Sequence, residues 1–131
     1  MLLGNSSNYE PFFESIRGGA NFSDACIVAI SHILPDRRWF LPVLNRLAKV
    51  SLLIGVPYSV HQTVRRELEA QYRLRLPTLD ELRSGAYLNE SIQSCVTGKR
   101  IVLIDIGGYF SRFADNDSSV RSAAVFGVRE I

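Results

Sequence analysis

Three short stretches of this sequence end in side chains able to do chemistry. Ala25 to Leu34, ACIVAISHIL, closes on Ser31 and His32. Ser51 to Pro57, SLLIGVP, leads into Tyr58 and Ser59, with His61 just beyond. Arg100 to Phe110, RIVLIDIGGYF, places Asp105 after four apolar residues and follows it with Gly107, Gly108, Tyr109 and Phe110. A histidine at a strand end serves as a general base or as a hydrogen-bonding partner for a sugar or base hydroxyl. Its bland alternative is an imidazole satisfied by a backbone carbonyl. A carboxylate in apolar company must be hydrogen-bonded. Asp105 can therefore accept a ribose hydroxyl, orient His32, or cap a neighbouring turn. A Gly-Gly pair admits close approach of backbone to a phosphate, and it equally makes a tight turn. Tyr58 offers a stacking face for a base, and Tyr109 a second aromatic surface; both residue types also serve as core cover. Ser59 has the type for a nucleophile beside His32 or His61, but no GxSxG elbow carries it.

The elements that must position these residues follow from the apolar rhythm. Ala25 to Leu34, Ser51 to Pro57 and Arg100 to Ile106 read as buried strands, apolar on both faces. Arg37 to Val50 carries Phe40, Leu41, Leu44, Leu47 and Ala48 at helical spacing, with Pro42 placed in its first turn. Ser59 to Tyr72 repeats Val60, Val64, Leu68 and Tyr72 every four residues, with Ser59 as N-cap. Arg73 to Leu76 is a short strand. Thr78 opens a capping box with Glu81, and a helix or helix pair runs to about Val96, where Gly98 suits a C-cap. Ala123 to Val128 is a last strand candidate. Strands alternating with helices predict an α/β three-layer sandwich with a mainly parallel, Rossmann-like sheet. Residues 1–22 read as an N-terminal extension with an apolar-aromatic patch at Tyr9, Phe12 and Phe13, and 23–131 as the domain. No helix follows the last strand, which suggests a fragment of something longer or cover supplied by a partner.

In open parallel sheets, ligands bind beyond the C-terminal strand ends. Both histidines, Asp105, the glycine pair, Tyr58 and Tyr109 fall on that edge. The predicted site is thus His32 and Asp105 as catalytic candidates, with Ser31, Tyr58, Ser59, Gly107, Gly108 and Tyr109 as ligand-binding candidates.

Bulk composition narrows the partners. The chain has 131 residues, 47% hydrophobic and 21% charged, which suits one soluble domain. A net charge of +2 does not argue for nucleic acid. The basic residues are almost all Arg, densest at Arg65-Arg66 and at Arg73 and Arg75; a solvated face is the simpler reading than a phosphate patch. No apolar run is long enough for a membrane span, and the N-terminus lacks a secretory signal, so a cytoplasmic protein is expected. Cys26 and Cys95 are expected to be reduced and buried, and no cysteine-histidine cluster suggests a metal.

The same residues resemble the adenosylhomocysteinase superfamily. In that family a first strand ends in a histidine, as Ile30-Ser31-His32 does here. A second strand runs into a Phe-Ser-Thr type segment, matched here by Pro57-Tyr58-Ser59-Val60. A helix ending in Gly-Lys leads into the strand of an NAD-binding domain, as Gly98-Lys99 leads into Ile101 to Ile106. The resemblance spans about residues 25–110 and rests on the order and spacing of elements. It implies His32 and Ser59 as nucleoside contacts, Gly107 and Gly108 as a cofactor-loop remnant, and NAD as the cofactor. The chain departs from the family pattern in the shortened region joining the family's two domains and in three local places. Gln62 stands where the family has an Asp. RLRLPT at Arg73 to Thr78 replaces its Glu-Thr-Thr-Thr-Gly segment. Asp105-Ile106-Gly107-Gly108-Tyr109-Phe110 replaces its GxGxxG.

Three functions are compatible with these features. The first is a module binding a small-molecule nucleoside or nucleotide at the strand-end edge. The second is a hydrolase of a nucleoside-like substrate using His32 and Asp105, which requires both side chains to reach one pocket. The third is a non-catalytic interaction domain, a homo-oligomer or the companion of another domain.

Overall fold

The computed structural model describes residues 24–95, 100–106, 109 and the backbone of 125–130. Five strands form one sheet: β1 (Ala25–Ile33), β2 (Lys49–Val60), β3 (Leu74–Arg75), β4 (Arg100–Asp105) and β5 (Val125–Glu130). Their order is β3-β2-β1-β4-β5 and every pairing is parallel. Between them run helices α1 (Arg37–Leu47), α2 (Gln62–Glu69), α3 (Leu79–Leu82) and α4 (Gly85–Gln93). This is the expected α/β sandwich with a Rossmann-like strand order.

The layers follow from alternation along the strands. Ala25, Ile27 and Ala29 of β1 and Val102 and Ile104 of β4 join Phe40, Leu41 and Leu44 of α1 and Val64 and Leu68 of α2 in one apolar cluster. Cys26, Val28 and Ile30, with Ile101 and Leu103, face the other way onto Leu82 of α3 and Leu88 and Ile92 of α4. Both faces of β1 and β4 are therefore apolar, as a doubly covered parallel sheet requires. Each fully buried Leu or Ile contributes about 1.5–3 kcal/mol. Both cysteines are free and buried, in the second cluster.

Two irregularities in β2 shape the sheet edge. Ile27 pairs with Val50 but Val28 pairs with Leu52, so Ser51 is an extra residue. The slip lets Val50 and Leu53 reach the same cluster although they are three apart. The side chain of Asn45, from α1, accepts a hydrogen bond from Val50 N at 3.0 Å beside this bulge. At the other end Ser31 pairs with Gly55, whereas Ile33 pairs with Val60. Two steps on β1 thus face five on β2, and Val56 to Ser59 arches out of register.

That arch corrects the expected end of the second strand. Pro57, Tyr58 and Ser59 lie within β2, and the helix that follows starts at Gln62. Its N-cap is His61, whose Nδ1 accepts from Val64 N at 3.4 Å, in place of the predicted Ser59. The backbone N–H of His61 donates to the Ile33 carbonyl at 2.8 Å, so β2 rejoins β1 there and the helix cannot begin earlier. The predicted α1 is shorter than expected, and Pro42 lies past its first turn. The capping box is present, with Thr78 and Glu81 exchanging hydrogen bonds at 3.2 and 3.0 Å. The segment after it is a helix pair, with Ser84 capping α4. Residues 1–22 and Gly98 lie outside the described residues. Among the described residues no helix is long and apolar enough to cross a membrane.

Candidate functional site

From β1 the chain steps outward to β2 and β3, and from β4 it steps the other way to β5. The order reverses between β1 and β4, so a crevice is expected outside the C-terminal ends of these two strands. Ile30 of β1 pairs with Asp105 of β4. Paired residues of a parallel ladder share a face, and so do residues two apart on one strand. His32 and Asp105 therefore lie on one face, the side covered by α3 and α4. Val56 of β2 packs on that face, and Tyr58 follows it by two residues.

His32 is half-buried, and its Nδ1 is fully buried without a hydrogen-bond partner among the described residues. The ring stands edge-on to Tyr58, with centroids 6.3 Å apart and planes at 65°. Such a T-shaped pair is a favourable aromatic contact. Tyr58 is 69% exposed, so most of its ring is open to solvent. Its hydroxyl lies 3.4 Å from that of Tyr109, which itself packs against the α3–α4 cluster. Tyr58 comes from β2 and Tyr109 from beyond β4, so the two phenols meet across the end of β1.

Two neighbouring side chains tie down the backbone at His32. Its carbonyl accepts from Ser31 Oγ at 2.9 Å and from Arg37 Nε at 3.2 Å. The arch of β2 explains this: the regular ladder is broken beside His32, and side chains supply the donors. Arg37 also reaches Asp36 at 3.3 Å and lies 5.0 Å over the Phe40 ring. Its charge is thereby engaged. Nothing in the apolar periodicity marked Arg37; its place directly after the Pro35-Asp36 break was the only signal.

Asp105 is fully buried. Its Oδ1 accepts from Tyr109 N at 3.0 Å, so it caps the turn after β4, one of the roles open to it from sequence. Ser31 is buried and points its hydroxyl at the His32 carbonyl. Ser59 is half-buried one residue beyond Tyr58, and alternation along extended backbone turns successive side chains apart. Gly107 and Gly108 lie outside the described residues. The structure thus brings His32, Tyr58, Tyr109 and Asp105 to one face. It gives Ser31 a supporting contact and sets His61 to capping a helix.

A second polar cluster joins β3 to α4. Arg75 makes two hydrogen bonds to the Glu90 carboxylate, at 2.5 and 3.2 Å, and one to the buried Ser91 at 3.1 Å. Beside it, burial pushes the Tyr87 phenol upward, opposed by the charge of Arg75. This is a structural tie: every polar partner is internal. Among the described residues, no group of three or more His, Cys, Asp and Glu side chains is placed to hold a metal ion.

What the switch-point groups can do is bind. They offer an imidazole nitrogen, two phenol hydroxyls and an open aromatic ring around the end of β1, next to a buried carboxylate. The chain matches no protein-family model, no curated protein and no solved structure.

Proposed function

We propose that this chain is a Rossmann-like module that binds a nucleoside or nucleotide at the crevice beyond β1 and β4, as a divergent relative of the adenosylhomocysteinase superfamily. The observation that carries this reading is the convergence of His32, Tyr58 and Tyr109 at the point where the strand order reverses. A planar base has a stacking surface in the open face of Tyr58, and a ribose hydroxyl has a partner in Nδ1 of His32.

The resemblance implies NAD, and the β4 end is a poor fit to its pyrophosphate. A fully buried carboxylate, Asp105, stands where the cofactor's phosphates would approach, and Arg37, the first residue of α1, is already engaged. No step is assigned to that cofactor. Hydrolysis of a nucleoside-like substrate draws support from the shared face of His32 and Asp105. It is the weaker reading, because Asp105 already commits an oxygen to the turn.

Thermal unfolding with adenosine, S-adenosylhomocysteine and NAD tests the proposal. A ligand at a hundred times its Kd stabilises the fold by about 2.7 kcal/mol, a shift of several degrees. We expect a shift with adenosine, and about tenfold weaker binding in His32→Ala, the worth of one well-made hydrogen bond. No shift with any of the three compounds overturns the reading.

A further inference from the structure

We propose that Tyr58 and Tyr109 form a clasp across the end of β1, and that a ligand enters by parting it and then pairs a hydroxyl or amino group with Nδ1 of His32. The proposal rests on the binding reading above and adds how the site is opened.

Four observations support it. Tyr58 comes from β2 and Tyr109 from beyond β4, on opposite sides of β1, so their contact spans the end of that strand. Their oxygens are 3.4 Å apart, longer than the 2.5–3.0 Å of a well-made O–H···O bond, so the contact is easily broken. Tyr58 stands on the arch of β2 that has left the ladder, and it is the most exposed of the large hydrophobic side chains described. Behind it lies a buried imidazole nitrogen without a partner. A buried polar atom left unpaired is costly, and a partner supplied by a ligand removes that cost. The closed arrangement therefore holds a reason to open in the presence of a suitable hydrogen-bonding partner, and the exposed ring of Tyr58, edge-on to His32, is the group assigned to move.

The anchors on the two sides differ. Tyr109 is fixed at its backbone N–H by the buried Asp105. Tyr58 is flanked by strand residues that rejoin β1 only at Val60 and at the His61 N–H. Tyr58 is thus the moving half and Tyr109 the post.

Covalent locking tests this. Persulfate under light-driven ruthenium oxidation removes one electron and one proton from each of two adjacent phenols. The rings then join through a carbon–carbon bond as dityrosine, the persulfate being reduced to sulfate. We expect an intramolecular Tyr58–Tyr109 cross-link in dilute wild-type protein, mapped by peptide mass, and its loss in Tyr58→Phe and in Tyr109→Phe. We expect the locked protein to bind adenosine at least tenfold more weakly than the untreated protein, measured by calorimetry. Absence of that cross-link overturns the clasp. Equal adenosine binding by locked and untreated protein overturns the gate and leaves the binding reading standing. Failure of the untreated protein to bind adenosine overturns the binding reading, and the gate falls with it.

Discussion

At the scale of single residues, the tightest constraint near the site is Gly55. A Cβ built there would lie 2.5 Å from Leu76 Cδ2 and 2.9 Å from Ile33 Cγ1. The Leu76 tip can swing aside, but Ile33 is fully buried at the end of β1 and has nowhere to go. Gly55→Ala is therefore an overpacking change, expected to cost about 1–3 kcal/mol in chemical denaturation. It also pushes on the strand end that carries His32, so adenosine affinity should fall with stability. Asp105 supplies a second residue-scale prediction. Asp105→Ala leaves the part-buried Tyr109 N without this acceptor, at a cost of about 1–3 kcal/mol. Asp105→Asn keeps an oxygen there and should cost less. The order of the two variants distinguishes a turn-capping carboxylate from one whose charge is the point. If Asn is as damaging as Ala, the capping account of Asp105 fails.

At the scale of elements, α1 contains a proline where a helix former would serve better. Pro42 lies inside the helix and is exposed. It removes the hydrogen bond that residue 42 would otherwise give the Arg38 carbonyl. Pro42→Ala should raise stability by about 1–2 kcal/mol once the greater freedom of the unfolded chain is counted. A fall in melting temperature would show that the proline instead fixes α1 against the sheet. The same helix marks how far the sequence could be read. Its existence and its buried stripe of Phe40, Leu41 and Leu44 were legible, because period and amphipathicity are local. So were the capping box at Thr78 and the last strand, which pairs at Val125–Glu130 within two residues of its expected place. The arch in β2 was not legible. It depends on Ile33 pairing with Val60 across strands, and no local feature of SLLIGVPYSV announces a cross-strand slip. This is why Ser59 looked like a cap and His61 became one. The site was legible as an edge, through strand ends, but the Tyr58–Tyr109 contact needed the strand order, which brings residues 51 apart in sequence together across β1.

At the scale of the whole molecule, the layers are tied at their rims by charge. Arg38 of α1 grips Glu67 of α2 through two hydrogen bonds at 2.6 and 3.0 Å. Arg75 joins β3 to Glu90 of α4, and Arg100 at the start of β4 holds Asp24 just before β1. Each carboxyl is held below its ordinary value, first by the hydrogen bond from its arginine and then by the charge, with desolvation opposing. The folded protein thus keeps these groups ionised at pH values where the unfolded chain has begun to bind protons. Wherever the unfolded chain holds more protons, stability rises with pH. The contribution is therefore whole above the ordinary carboxylate range of about 4. It is lost as pH falls through the lowered values of the folded state. All three pairs are at the surface, so the effect is modest and screened by salt. Melting temperature followed from pH 7 to pH 3 should stay level to about pH 5 and then decline, with a shallower decline at ~0.5 M salt. Glu90→Gln should lower stability at pH 7, and its deficit should shrink as pH falls below the ordinary carboxylate range, where the wild-type tie to Arg75 weakens. A deficit in Glu90→Gln that persists unchanged at pH 3 would assign Glu90 a packing role and remove the electrostatic tie between β3 and α4.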